Sequence, residues 1–264
     1  MSNAQVQSAG FLLELSPDWL ILRASENAHR FLGEYPQRLI GEPFSDFTLA
    51  QALHDLRNSL SSQRSSSGIA RVYRVRLVDE PRYFDIAFQA QDSTILIEGL
   101  PSADDGHGGA MGGISRLVDG LRIPDRKRMM ELAARRMRAL TGFDRVTLVV
   151  GEERVENSRG KMAELAISSD LPAIIADTAE APVGLFPRKE DPPISAALLR
   201  APSAGELEEL RAAGIASTLR VPIMSGADHV GYFECDNRTP RAPSFELHGA
   251  AELFAQIFGM LLPG

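Results

Sequence analysis

A glycine-rich break from Pro101 to Gly113, read PSADDGHGGAMGG, constrains this chain more than any other feature. Five glycines, two adjacent aspartates and no apolar periodicity mark a flexible linker. A phosphate-cradling loop would need Gly-Lys-Ser or Gly-Lys-Thr to follow, and neither does. Taking 102–113 as the linker leaves 1–101 and 114–264, each long enough to bury a core of its own. Composition agrees, at 44% hydrophobic and 24% charged residues. A net charge of −7 argues against a nucleic-acid partner, which needs clustered positive charge. The single cysteine, Cys235, permits no internal disulfide and suits the reducing cytoplasm. No apolar run reaches the length of a membrane span, and no charged-then-apolar leader opens the chain. Ser2-Asn3-Ala4 reads as the remnant of an added tag.

Before the linker, short apolar runs alternate with turn signals. Phe11–Leu15 and Trp19–Ala24 read as strands joined at Ser16-Pro17-Asp18. Ser25 is the expected N-cap of a short helix that ends near Gly33. Leu53, Leu56 and Leu60 give Ala50–Leu60 an amphipathic helix. Three strands follow, at Ile69–Val78, Tyr83–Gln91 and Ser93–Leu100. The middle one sets Phe84, Ile86 and Phe88 on one face, with Asp85, Ala87 and Gln89 on the other. Two strands, small helices and three strands is the order of a PAS domain.

After the linker, Pro124 opens a helix to Leu140, with Met130, Ala133, Ala134 and Met137 as its apolar stripe and Gly142 as its stop. Strands are expected at Phe143–Val150 and Lys161–Ile167, then a turn-rich stretch from Ser168 to Pro193. A helix at Ala204–Ala213, a hairpin of Ser217–Met224 and His229–Cys235, and a closing helix from Phe245 to Leu261 complete the order of a GAF domain. The fold class is therefore α+β, two antiparallel sheets each flanked by helices.

Several stretches carry a family likeness. They are Val6-Gln7-Ser8-Ala9-Gly10 before FLLEL and LRASENAHRFLG, then LTGFDRV at Leu140–Val146, and Ser169-Asp170-Leu171-Pro172. LLRAPSAGELEELRAAGIAST and HVGYFECDNRTPR complete the set. In this order they resemble the PAS–GAF photosensory core of bacteriophytochromes. The resemblance implies a bilin pocket in the second domain and a parallel homodimer through the GAF helices. It further implies a downstream signalling protein or output domain, and a knot with Val6 inside a lasso from Ile174 to Pro193. It also shows where the pocket is degenerate. The family's attaching cysteine lies upstream of the PAS domain, where this sequence has only a few residues and no cysteine. Its two pocket histidines fall on Glu206 and Asp236, and the stretch after Pro172 is short. Asp170, Pro172 and Arg200 are the pocket positions retained. No bilin is expected, with non-covalent biliverdin or another small ligand as the alternative. Glu206, Glu208 and Glu209 would repel its propionates.

Simpler readings stand beside these. Asp170 suits a turn before Pro172, and Arg200 an ordinary ion pair. The acidic run also fits the first turn of a helix. The five histidines are scattered and give no metal spacing, Cys235 reads as an inert strand residue, and Gly-x-Ser-x-Gly is absent. Nothing points to an enzyme. On the last helix, Leu247, Phe254, Ile257, Phe258 and Leu261 form a stripe for self-association, with burial inside one subunit as the alternative.

Overall fold

The computed structural model describes residues 4–61, 68–91, 93–102, 109–163, 171–188 and 194–262. In chain order its elements begin with β1 (Gln5–Val6), β2 (Phe11–Leu15), β3 (Ile21–Ser25), α1 (His29–Leu32), α2 (Pro36–Leu39), α3 (Ala50–Ser61), β4 (Ala70–Val75), β5 (Phe84–Ala90) and β6 (Ile95–Pro101). They continue with α4 (Gly109–Val118), α5 (Arg126–Thr141), β7 (Arg145–Val150), β8 (Glu153–Ser158), β9 (Ile174–Ile175) and β10 (Val183–Phe186). Last come α6 (Ala204–Ala212), β11 (Ser217–Ser225), β12 (Asp228–Asn237) and α7 (Phe245–Leu261). These divide into two compact units, 1–104 with 180–201, and 105–179 with 202–264.

The first unit is built on a sheet of order β1-β10-β3-β2-β6-β5-β4, antiparallel throughout. Its central strands are apolar on both faces, so one layer of helices is not enough to cover it. Phe11, Leu13, Phe84, Ile86 and Ile97 point to one side and pack with Leu39, Leu53 and Leu56 of the helices. Leu12 and Leu96 point to the other and meet Val6, Leu185, Ile194 and Ala197. The second cover therefore comes from 180–201, a stretch that the order of the sequence assigns to the other domain. Glu98 ties it down, accepting from the backbone N–H groups of Leu198 (2.9 Å) and Leu199 (2.6 Å), and Gln89 donates to the Ala196 carbonyl (2.8 Å). Gly99 is fixed by packing, because a Cβ there would sit 2.1 Å from the Phe11 ring.

The N-terminal strand β1 is held along both edges by this same stretch. It pairs with β10 on one side, Gln5 opposite Gly184 and Val6 opposite Val183. On the other, Ala201 donates to the Gln5 carbonyl and Gln7 to the Leu199 carbonyl, each at 2.9 Å. The loop that would close the expected lasso includes 189–193, which lie outside the described residues.

The second unit has a sheet of order β8-β7-β12-β11-β9, with α5 and α7 on one face. Asp125 caps α5, accepting from the Arg128 N–H (3.1 Å), and Gly142 ends it in the left-handed conformation. Ser244 caps α7, and Phe254 and Phe258 turn their rings edge-on to Phe233 at 5.9 and 5.6 Å. Gly259 lets that helix lie on the sheet, since a Cβ would come within 2.1 Å of the Met224 carbonyl oxygen.

Three expectations change. Residues from Gly109 are the start of α4, so a linker over 102–113 is too long; the described helix carries Ile114 and Leu117 on into an apolar face that the glycines concealed. The second strand of this unit is Glu153–Ser158, not Lys161–Ile167, of which 164–167 lie outside the described residues. Ser25 does not cap α1; its hydroxyl accepts from the Leu12 N–H at 3.2 Å, a cross-strand contact.

Candidate functional site

Strand pleat decides which side chains share a face. In the second unit Val146, Leu148, Val150, Leu219, Val221, Phe233 and Cys235 are all buried on the face covered by helices. The alternate residues occupy the opposite face, and register sets them in rows. Arg145 lies opposite Asp236, which lies opposite Thr218. Thr147 lies opposite Glu234, which lies opposite Arg220. Arg145, Thr147, Thr218, Glu234 and Asp236 are all buried, so this is a polar interior surface rather than a solvated one.

Arg145 and Asp236 form its fixed part. The Arg145 Nε and Nη2 both donate to Asp236 Oδ2 at 2.8 Å, and Nη1 donates to the Ala163 carbonyl at 2.7 Å. A pair this deep is costly to break from one side, about 3–5 kcal/mol, because the survivor keeps a buried charge. Burial raises the Asp236 carboxyl and the Arg145 guanidinium draws it back.

Glu234 is differently placed. Its side chain is 1% exposed, and neither carboxylate oxygen has a hydrogen-bond partner. The Arg220 Nε stands 4.0 Å from Oε2, while that guanidinium lies over the Tyr232 ring at 4.1 Å. Burial, then the Asp236 charge, pushes the Glu234 carboxyl up to about 8 against the pull of Arg220, Arg145 and Arg154. Thr218 Oγ1 and Asp236 Oδ1 are also buried without a hydrogen-bond partner. Three neighbouring side chains thus hold buried polar atoms without a hydrogen-bond partner. An unsatisfied buried group of this kind costs about 1–3 kcal/mol, more when charged.

The positions picked from the sequence do not converge. Asp170 lies outside the described residues, and Pro172 is buried. Arg200 belongs to the first unit, where its backbone bridges Val6 and its carbonyl accepts from the Gln7 side chain (3.2 Å). Glu206 is committed to a capping box: it receives the Ser203 N–H at 2.6 Å while the Ser203 hydroxyl accepts from the Glu206 N–H at 3.3 Å. Glu208 and Glu209 are exposed on the same helix. Asp236 alone sits on the polar face. Its companions Arg145, Thr218 and Glu234 are missing from that set, although charged residues at alternate positions of an apolar strand, Glu234-Cys235-Asp236, are the signal for such a face.

Cys235 points the opposite way, fully buried beneath α5, where burial pushes its thiol far above the ordinary range. Among the described residues no group of three His, Cys, Asp or Glu side chains is placed to hold a metal ion. On α7, Phe254 and Phe258 are spent on the sheet, whereas Leu247, Ile257 and Leu261 are half-buried and Met260 is exposed.

Comparison with known proteins places this geometry. Residues 2–100 match a family described as the PAS fold. The chromophore-binding domain of Stigmatella aurantiaca phytochrome P1 aligns at TM-score 0.80 and 23% identity, over 98% of this chain and 96% of that one. A bacteriophytochrome from R. palustris gives 0.82 and 23%, over 99% of this chain and 59% of that one. The chromophore-binding domain of an unusual bacteriophytochrome from R. palustris gives 0.74 and 24%, over 97% and 93%. An alignment over 98% of the chain takes in both units. In its fold the chain is similar to the chromophore-binding domains of these phytochromes, and its residues 2–100 match the PAS fold.

Proposed function

We propose that this is a sensory module of the phytochrome type that has given up the bilin and signals through contacts with a second copy and with a downstream protein or output domain. The buried row Arg145–Asp236–Thr218 beside Glu234 carries this reading. A bilin brings two propionates that need cations or hydrogen-bond donors. On this face Arg145 is already gripped by Asp236 and Arg220 stands beside Glu234, so each of these cations has a carboxyl group next to it. Lactam carbonyls would meet Glu234 and Asp236 where the resemblance puts histidine only at the latter. The residues do not fit a bilin. Covalent attachment within this chain is also disfavoured, since Cys235 faces the helices.

Self-association is supported by α7, which offers Leu247, Ile257 and Leu261 beyond what its own sheet consumes, with Met260 exposed. A shallow groove between α4 and α7, lined by Val118, Arg122, Ile257 and Leu261, continues that surface. No helix among the described residues is long and apolar enough to cross a membrane, which suits a cytoplasmic module. The reading is of a sensor rather than an enzyme.

Absorption after addition of biliverdin tests the proposal directly. A spectrum unchanged from free pigment is expected; a structured red band that switches under illumination overturns it. Sedimentation of the wild type against an Ile257→Asp/Leu261→Asp variant tests the contact, with a dimer expected only for the former. A second reading, a sensor of some other small molecule, is favoured by one observation, the buried polar atoms of Glu234, Asp236 and Thr218 that have no hydrogen-bond partner.

A further inference from the structure

We infer that the groove between α4 and α7, with the cations beside it, receives an acidic amphipathic helix of a partner protein. The inference rests on the reading that this module signals through a downstream protein, and it names that partner's chemistry. Charge carries it first. From Ile114 to Arg138 the sequence has eight Lys or Arg against three Asp or Glu, in a chain whose net charge is −7. Three of these cations are spent within the unit. Arg126 pairs with Glu153 (2.6 Å), Arg136 donates to the Leu117 carbonyl (2.6 Å), and Arg138 donates to Asn157 Oδ1. Arg116, Arg122, Lys127, Arg128 and Arg135 are exposed, and their side chains make no ion pair among the described residues. A lone surface cation is simply solvated, but a cluster opposed in sign to the whole molecule makes a local field that steers an acidic partner.

An apolar floor lies beside the cations. The groove has a volume of about 490 Å³ and is lined by Val118, Ile257 and Leu261, with Arg116 and Arg122 at its rim and Asp119 its one acid. Val118, Ile257 and Leu261 are half-buried and Met260 is exposed, so apolar surface is left for another helix to cover. A helix with leucines on one side and carboxylates on its flanks would meet the floor and the rim together. The outer face of α5, which packs beside α4, extends the attraction with Lys127, Arg128 and Arg135 around the single acid Glu131. At this rim a second copy, related by a two-fold axis, would set Arg116 and Arg122 against the same cations. A broad anionic sheet such as a bilayer would meet the negative remainder of the molecule, whereas one helix meets only the local patch.

The probe is a fluorescein-labelled helical peptide of about four turns, glutamate on one side and leucine on the other. It is titrated into the full 264-residue protein and followed by anisotropy. Saturable binding that weakens steeply with added salt is expected. Peptides with lysine for glutamate, or serine for leucine, should each bind about ten-fold more weakly. Arg116→Glu/Arg122→Glu should also lose about ten-fold, and since both side chains are exposed it should melt as the wild type does. Arg38→Glu/Arg188→Glu, the same reversal on exposed arginines of the first unit, should bind unchanged. The inference falls if the acidic peptide does not bind, if the serine peptide binds equally well, or if the rim variant binds unchanged. Co-sedimentation with phosphatidylserine vesicles that the rim variant abolishes would give the rim to a membrane and overturn the partner helix. Sedimentation separates this inference from self-association. The rim variant should keep the dimer, and a dimer lost with Arg116 and Arg122 would give the groove to the second copy. A monomeric wild type that binds the peptide sinks only the self-association, and peptide silence beside an intact dimer sinks only the partner helix.

Discussion

The two sheets of this protein solve one problem in opposite ways. Both are antiparallel and both have an apolar face under helices. The sheet of the first unit is apolar on its other face as well, and the chain returns at 180–201 to seal it with Leu185, Ile194 and Ala197. The sheet of the second unit has Arg145, Thr218, Glu234 and Asp236 at the equivalent alternate positions, and several of their atoms are left wanting partners. A strand that is apolar on both sides asks for more protein; a strand charged on one buried side asks for something else.

Four substitutions would break or sharpen that contrast. The largest effect is expected at Arg145→Ala, which strands Asp236 and should cost about 3–5 kcal/mol in denaturant unfolding. The double change Arg145→Met/Asp236→Leu should recover most of it; if it does not, the pair holds more than itself. Next, Glu98→Ala leaves the buried N–H groups of Leu198 and Leu199 without an acceptor and should cost about 2–4 kcal/mol. Limited proteolysis should then cut within 180–201 sooner than in the wild type.

The third concerns pH. Burial raises Glu98 to about 7 and Glu234 to about 8 from 4.5. The folded state therefore binds more protons than the unfolded chain between these values, and stability falls as pH climbs from about 5 to 8. Glu234→Gln should flatten that slope and stabilise the protein at pH 8 by on the order of 2 kcal/mol. A slope unchanged in the variant would place the titration elsewhere. The smallest effect belongs to Glu206→Ala, where loss of the capping box should cost about 1 kcal/mol. A larger loss would give Glu206 a role beyond its helix cap.

How far the sequence reaches follows from what kind of signal each residue gives. Phe84, Ile86 and Phe88 announce β5 because alternation against a core is local. Gly142 marks the end of α5 for the same reason. Strand β8, by contrast, is an edge strand with the polar sequence ERVENS and mostly exposed side chains, so it carries no apolar pattern to read. The assignment of 180–201 to the first unit is a matter of long-range packing, invisible until Leu12 and Leu96 are seen to need cover. At the site, Asp236 came from a likeness to other proteins. Glu234 and Thr218 became legible only when register placed them beside it, and Glu206 was claimed by its own helix end.

The clasp around Gln5–Val6 has a consequence for the order in which the protein comes into being. β1 precedes its flanking partners by well over a hundred residues, and the strand and carbonyl at Val183–Phe186 and Leu199 are not made until the second unit is half complete. Until then the first unit waits with Leu12 and Leu96 uncovered. The first unit cannot close until residue 201 has been made, and 1–104 without 180–201 would be an open sheet rather than a domain.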